Sequence, residues 1–283
     1  FSNNVATISG TPTGTATGTY NYTLTVSNTA GTASATFSGS LTVSSSNSTT
    51  ASSSISFDSN GTCKCAGATV GDTATISGTL YTVVDNSTIA GQIANGNVNL
   101  CTTLVTDMSN LFADNTSFNS DISFWDTSNV TNMNDMFNDA LLFNQNIGNW
   151  DTSNVTSMNA MFSNYTGNGS FNQNIGNWDT SNVTSMRYMF RKSANFNQNI
   201  SNWNVSNVTD MQYIFWNATS FNIDIGGWDT SSLTRMFGMF NGATSFNKDI
   251  GGWDTSGVTS MDELFKGATA FNQDLTGWCV TNI

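Results

Sequence analysis

Five aspartates, each directly after a tryptophan, are the residues of this chain best suited to holding a metal ion. They recur at intervals of 25 residues or close to a multiple of it: Asp126, Asp151, Asp179, Asp229 and Asp254. Stacked about 5 Å apart, their carboxylates would repel one another by somewhat under 1 kcal/mol per neighbour in water. Calcium prefers such oxygen ligands. The Thr and Ser that follow instead favour an Asx turn, which satisfies the carboxylate without metal. We therefore expect no cofactor, with calcium as the alternative.

A row of threonines follows these aspartates and raises a separate hypothesis. Its members are Thr127, Thr152, Thr180, Thr230 and Thr255, and the row is interrupted at Val205. Regular threonine rows on a flat face are compatible with ice binding. The interruption of the row at Val205 counts against this hypothesis, and we do not favour it.

The four cysteines are Cys63, Cys65, Cys101 and Cys279. A C-x-C pair with two distant partners is poor zinc spacing, and few charges suit an extracellular setting in which disulfides persist. Cys101 and Cys279 lie about seven repeats apart, too far to pair with each other. We expect Cys101 to pair with Cys63 or Cys65. Cys279 would then bond to the free cysteine of another molecule in a head-to-tail fibre, or to a C-terminal cap.

Several classes of function are excluded by composition. The chain has no histidine, so it lacks a Ser-His-Asp triad, a Cys-His nucleophile and an imidazole metal site. A net charge of −12 and a pI near 4.1 argue against nucleic acid and anionic membranes as partners. No window of 18 apolar residues is present, so membrane insertion is not expected. The aspartates are too scattered for the carboxylate pair of a glycosidase, and we expect no enzyme.

Exposed groups that depart from the repeat pattern are the candidates for contact with a ligand. Arg187, Tyr188, Arg191 and Tyr213 cluster in two successive repeats and form the predicted binding patch. Others are Phe124, Tyr165, Lys192, Trp216 and Arg235. A ligand site, a contact between subunits and an ordinary solvated face are all compatible with this cluster.

These residues are positioned by an internal repeat. Tryptophan recurs at 125, 150, 178, 203, 228, 253 and 278, every 25 residues except for one step of 28, which an insertion within residues 163–170 explains. Phe, Ile, Val and Met recur in register, so the apolar side of each repeat must be buried by its neighbours. We predict a β-rich or α/β solenoid of about seven repeats over residues 98–283. Its short parallel strands would lie at Asn-x-Asp-Ile-Gly-x-Trp and its short helical turns at Met-x-x-Met-Phe.

An asparagine follows the first phenylalanine of each repeat. A stack of asparagines can satisfy buried backbone groups and one another. We expect a structural ladder formed by Asn144, Asn172, Asn197, Asn222 and Asn247.

The repeat motif resembles that of BspA-like leucine-rich-repeat surface proteins of bacteria. The sequence FNQNIGNWDTSNVTSM at residues 171–186 shows it best, and the resemblance covers residues 98–283. It implies a leucine-rich-repeat-like fold in an extracellular or cell-surface protein used for adhesion or recognition and not for catalysis. The chain departs from the pattern at Asn204-Val205, where Asp-Thr is expected, and at the insertion.

The residues before the repeats fall into three segments. Residues 1–43 alternate as strands and resemble the later part of an immunoglobulin-like bacterial surface domain, hence a partial β-sandwich. Its missing strands would lie upstream or come from another chain. Residues 44–54 form a Ser/Thr-rich linker. Residues 55–97 are expected to cap the repeats with a hairpin and a short helix.

Together these patterns predict a non-enzymatic extracellular surface or filament-forming protein that mediates adhesion or structural assembly. Its partners would be a protein or glycan surface ligand, or copies of itself in a head-to-tail fibre. The alternative is a calcium-dependent carbohydrate- or protein-binding module that uses the aspartate column.

Overall fold

The computed structural model describes residues 18–27, 34–43 and 54–283. The chain divides into two compact units, residues 1–52 and residues 53–283. Within the described ranges, no helix is long and apolar enough to cross a membrane.

The described part of the first unit is one pair of strands. Strands β1 (Gly18–Ser27) and β2 (Ser34–Val43) pair antiparallel along their full length. They belong to the segment predicted to be immunoglobulin-like. The rest of that segment and residues 44–53 of the predicted linker lie outside the described residues.

The second unit begins with six short elements, of which the last lies at the start of the repeat region. In chain order they are β3 (Ser56–Phe57), β4 (Cys63–Lys64), β5 (Thr73–Ile76), β6 (Thr79–Asp85), α1 (Ile89–Ala94) and β7 (Leu100–Leu104). Strands β5 and β6 form an antiparallel hairpin. Its turn residues, Ser77 and Gly78, both have positive φ values of 50° and 84°, which a tight two-residue hairpin turn favours. Strand β7 pairs with β6 in parallel and leads the chain from this sheet into the repeats.

Aromatic side chains form a ladder through the repeat region. The rings of Phe143 and Phe171, from successive repeats, stack with centroids 5.9 Å apart, and Phe137 lies 3.9 Å from Phe143 within one repeat. Each core tryptophan also donates to the preceding repeat, as Trp203 Nε1 does to the carbonyl of Ile175 at 3.0 Å. Because these contacts run between repeats, one repeat cannot bury its own apolar side chains.

The predicted parallel strand at Asn-x-Asp-Ile-Gly-x-Trp is wrong. Successive repeats instead make one parallel bridge each, at the residue before the first methionine: Asp107, Asn132, Ser157, Ser185, Asp210, Arg235 and Ser260. In the segment predicted to be a strand, the backbone is satisfied locally. Trp150 N donates to the carbonyl of Ile147 at 3.2 Å, and Gly148 N donates to Oδ1 of Asn146 at 3.0 Å. Donors used in turns cannot form a ladder with the next repeat.

The predicted helical turns at Met-x-x-Met-Phe are also wrong, because alternate backbone N–H groups in this segment point to the next repeat. Met133 N donates to the carbonyl of Ser157 at 3.1 Å, and Phe137 N donates to that of Met161 at 2.9 Å. A helix would need these donors for its own preceding turn. The repeat region therefore has little regular secondary structure, although its backbone bonding is periodic.

For alternate backbone N–H groups to point to the next repeat, one residue of each repeat adopts the left-handed conformation. It is the second residue after the first methionine, and we call its place the left-handed position. Its occupants have φ between 52° and 60°: Asn110, Asp135, Ala160, Tyr188, Tyr213, Gly238 and Glu263. Asn, Asp and Gly tolerate this conformation because their side chains are short or absent. A second left-handed residue recurs four positions later, where Lys192 has a φ of 54°. The two positions account for part of the chain's richness in Asn, Asp and Gly.

Candidate functional site

The aspartate column forms Asx turns. Oδ1 of Asp151 accepts hydrogen bonds from the backbone N–H of Ser153 at 3.0 Å and from its hydroxyl at 2.6 Å. Equivalent serine contacts hold the pKa of the carboxyls below their ordinary 3.8 in Asp179, Asp229 and Asp254. Within the described residues, no three side chains among His, Cys, Asp and Glu come together as a group able to hold a metal. Calcium binding by the column stays a prediction.

Asp126, the first of the column, differs from the rest because it is buried. Lys64 Nζ donates to its Oδ1 at 2.7 Å, and Thr103 donates to Oδ2 at 2.7 Å. Burial raises the pKa of this carboxyl, but the hydrogen bonds from Lys64, Thr103 and Ser128 outweigh burial, so the net shift is downward. Asp126 therefore joins β4 and β7 to the first complete repeat.

The threonine row is structural, and the ice-binding hypothesis is wrong. All five side chains are buried: Thr127, Thr152, Thr180, Thr230 and Thr255. Each hydroxyl donates to a backbone carbonyl of the next repeat, as Thr152 Oγ1 does to Asp179 O at 2.9 Å. A hydroxyl used in this way presents no surface to ice.

The asparagine column forms a chain of hydrogen bonds along the repeats. Asn172 N donates to Oδ1 of Asn144 at 3.0 Å, and Asn197 N donates to Oδ1 of Asn172 at 3.0 Å. Asn222 and Asn247 continue the pattern at 2.9 and 3.0 Å. Each side chain thus satisfies one backbone donor of the next repeat.

The structure pairs Cys65 with Cys101, whose Cα atoms are 6.2 Å apart. Cys63 is fully buried, and burial together with the Asp126 charge raises the pKa of its thiol to about 11. Cys279 is exposed, and the Thr281 hydroxyl and backbone N–H lower the pKa of its thiol. A disulfide from Cys279 of one molecule to Cys63 of another would require the cap to open. The cysteine geometry therefore gives no support to the head-to-tail disulfide fibre.

Tyr188 and Tyr213 bring the predicted binding patch together across two repeats. Both occupy left-handed positions, and their rings stack with centroids 5.0 Å apart at an interplanar angle of 10°. The Arg187 guanidinium lies 4.7 Å from the centre of the Tyr188 ring, and its Nη2 donates to the Tyr188 hydroxyl at 3.1 Å. The rings and the cation therefore form one continuous surface.

Arg191 is the most unusual member of this surface. It is only 8% exposed, and its guanidinium lies 3.6 Å from the ring centre of Tyr165 and 4.6 Å from that of Trp216. Its Nε and Nη1 atoms are buried and make no hydrogen bond. Such a sandwich provides cation–π attraction but no counter-ion.

We refer to this set as the aromatic patch: Tyr165, Arg187, Tyr188, Arg191, Tyr213 and Trp216.

The other exposed candidates have different surroundings. Phe124 packs against Phe57 and Tyr81 of the cap. Arg235 pairs with Asp210 at 3.7 Å, and Lys192 donates to the backbone carbonyl of Tyr165 at 3.0 Å.

Sequence reasoning missed Phe237, whose ring lies 5.1 Å from that of Tyr213. The signal was present, because Phe237 stands directly after the first methionine of its repeat. The other six repeats have Ser, Asn, Arg, Gln or Asp at that position.

Three overlapping segments of the chain match one family model, described as "Mycoplasma protein of unknown function, DUF285". They are residues 80–168, 163–237 and 202–283, which together cover the whole repeat region. Neither the curated proteins nor the solved structures yielded a match to this chain.

Proposed function

The chain belongs to the DUF285 family, which carries no assigned function, and we propose from its own residues that it is a non-enzymatic extracellular surface protein. In this proposal the repeats form a solenoid related to that of BspA-like leucine-rich-repeat proteins. The solenoid presents the aromatic patch to a protein or glycan on another surface. Its role is adhesion or recognition.

The aromatic patch carries the proposal. Two arginines and four large aromatic side chains gather on a chain that has only 7 basic residues and a net charge of −12. Aromatic and arginine side chains are enriched where proteins bind their partners. Tyr165 is 47% exposed, so apolar ring surface is available at the patch.

The use of the polar columns supports a scaffold that binds and does not catalyse. Each aspartate of the Asx turns accepts hydrogen bonds from the serine two residues later. Each buried threonine hydroxyl donates to a backbone carbonyl of the next repeat, and each asparagine side chain accepts a hydrogen bond from a backbone N–H of the next repeat. Groups committed to the backbone are not free for acid–base chemistry. In this proposal, a ligand is recognised by the exposed side chains that differ from one repeat to the next.

The Cys65–Cys101 disulfide supports an extracellular location. Disulfides persist in oxidising compartments and are rare in the cytosol. This bond links the loop after β4 to β7 and so fixes the cap to the first repeat.

Adhesion can be tested with beads that carry the full 283-residue chain. They should bind immobilised glycans or extracellular proteins saturably, and free chain should compete. The control is the same chain after reduction and thermal unfolding. If native and unfolded beads are retained equally on every surface, the proposed function is wrong.

A further inference from the structure

We propose that the aromatic patch binds a linear acidic polysaccharide, with its carboxylate or sulfate groups at the arginines and its sugar rings against the tyrosines. This inference rests on the proposed function and names the class of ligand. Four features of the patch support it: an uncompensated arginine, backbone strain, ring geometry and the lack of a free backbone edge.

Arg191 supplies the first feature. A guanidinium stays charged at all physiological pH values, and a buried charge without a partner is costly. None of the three ion pairs in the described part of the chain includes Arg191. Its buried Nε and Nη1 also lack any hydrogen bond. An anion bound at the surface of the patch would partly offset this charge without contacting the buried nitrogens. Carboxylate and sulfate match the fork of the exposed Arg187.

Backbone strain is the second feature. The left-handed conformation costs an ordinary residue roughly 1–2 kcal/mol, and bulky residues adopt it rarely. Tyr188 and Tyr213 adopt it at φ values of 60° and 57°, where three other repeats place Asn, Asp or Gly. Strain of this kind tends to be kept at functional sites. Gly238, in the following repeat, leaves room for the Tyr213 ring, because a Cβ there would lie 2.7 Å from Cε1 of that ring.

The geometry of the rings indicates the shape of the ligand. Tyr188, Tyr213 and Phe237 belong to successive repeats and lie 5.0 and 5.1 Å from one another. Tyr188 and Tyr213 stack face to face and Phe237 is tilted by 60° to Tyr213, so the row presents mainly ring edges to a ligand. Such a row offers apolar surface with little loss of side-chain entropy. A polymer with repeating rings can cover such a row, and its anionic groups can reach the flanking arginines. The negative charge of the rest of the chain opposes the binding of a polyanion, so the local positive charge of the arginines must outweigh it at the patch.

The backbone under the patch favours a glycan over an acidic peptide. Tyr188 N donates to the carbonyl of Gln212 at 3.0 Å, and Tyr213 N donates to that of Phe237 at 2.9 Å. Peptides that bind as an added strand need free backbone groups at an edge. These donors are used between repeats, so the patch offers side chains and not an edge.

The test measures binding of four polymers to the full chain at low salt: polygalacturonate, dextran sulfate, neutral dextran and poly-glutamate. We expect the wild type to bind polygalacturonate or dextran sulfate and to release it as salt rises. Arg187→Gln and Tyr188→Asn should each weaken that binding at least tenfold. Asparagine suits the left-handed position, so the second variant keeps its fold. Arg235→Gln removes an exposed arginine outside the patch and should bind as the wild type does.

The proposal is overturned if neither acidic polysaccharide binds, if both patch variants bind unchanged, or if neutral dextran binds as well. Stronger binding of poly-glutamate would identify an acidic protein as the ligand instead. Thermal melts of each variant show whether its fold is intact. Beads carrying Arg187→Gln with Tyr188→Asn separate the two proposals. If adhesion is lost in this double variant but neither acidic polysaccharide binds the wild type, the glycan ligand alone is refuted. Adhesion that survives in the double variant refutes the patch as the adhesive surface, and adhesion absent from the wild type refutes the proposed function.

Discussion

Replacing Gly238 by alanine should separate backbone strain from the packing of Tyr213. Gly238 has a φ of +57°, and a Cβ added there would lie 2.7 Å from Cε1 and 2.8 Å from Cδ1 of the Tyr213 ring. The left-handed conformation costs alanine roughly 1–2 kcal/mol of folding stability. About 0.4–1 kcal/mol of this cost is offset, because alanine lowers the conformational entropy of the unfolded chain relative to glycine. Forcing the ring aside adds about 1–3 kcal/mol. The expected total loss is therefore about 1–5 kcal/mol.

Two other glycines in the repeats provide matched controls. Gly267 also has a positive φ, of +74°, but its nearest neighbours are at an ordinary 3.7 Å. Gly267→Ala should cost only the strain, about 1 kcal/mol. Gly227 has open space around a Cβ and no positive φ, so Gly227→Ala should be neutral or stabilise by about 0.4–1 kcal/mol.

The assay is denaturant unfolding followed by tryptophan fluorescence. All 8 tryptophans lie between residues 125 and 278, so the signal reports on the repeats alone. Repeat arrays can unfold in more than one step. Unfolding free energies are therefore compared only between variants whose free energy depends on denaturant concentration with the same slope.

Repeating Gly238→Ala in a Tyr213→Ala background completes a double-mutant cycle. Removing the ring should reduce the cost of the Gly238 change to about 1 kcal/mol, the value expected at Gly267. If Gly238→Ala costs no more than Gly267→Ala, or costs the same with and without the Tyr213 ring, the packing argument is refuted.

Three further predictions concern the aspartates and cysteines. The lowered carboxyl pKa values of Asp126 and Asp179 imply stability that is fully present above the ordinary 3.8 and lost as pH falls through the folded-state values. Acid unfolding should therefore begin below about pH 4, and Asp126→Asn should make the unfolding free energy less dependent on pH there; an unchanged dependence would contradict the role of Asp126. Because the column aspartates already bond to serines, a calcium chelator should leave the melting temperature unchanged, and a fall would instead support the calcium alternative. Mild oxidation should yield at most a disulfide dimer through the exposed Cys279, absent in Cys279→Ser, and a longer ladder on a nonreducing gel would show that the buried Cys63 is reactive.

The sequence allowed the core of the repeats to be predicted because burial follows the spacing of large apolar residues. Phe143, Ile147 and Val155 are all buried where the columns placed them. The backbone could not be predicted in the same way. Met-x-x-Met-Phe has helical spacing, but a left-handed residue in each repeat turns the peptide N–H groups toward the neighbouring repeat. The spacing of apolar residues indicates which side chains share a face. It does not indicate which acceptor each backbone N–H group bonds to.

The site was predictable only in part, for a related reason. The clustering of Arg187, Tyr188 and Tyr213 follows from their register in adjacent repeats. The contact between Arg191 and Tyr165 does not, because Tyr165 lies in the insertion that breaks the period. The threonine row was misread for a different reason. Its regular polar residues suggested an exposed surface, but the structure buries all five side chains.

The proposed recognition surface includes the insertion, which is a departure from the repeat. The insertion is bonded to the preceding repeat. The backbone N–H groups of Tyr165 and Thr166 donate to Oδ1 of Asp139 at 2.7 and 2.9 Å. These hydrogen bonds fix the backbone of Tyr165, whose ring centre lies 3.6 Å from the Arg191 guanidinium. Repeats whose columns are committed to bonding with their neighbours have few other ways to vary their surface. The three extra residues and the tyrosines at strained positions both carry a structural cost, and both lie at the aromatic patch. The insertion and these two tyrosines therefore meet at one place in the fold, whereas the departure at Asn204-Val205 and the left-handed Ala160 and Glu263 lie outside the patch.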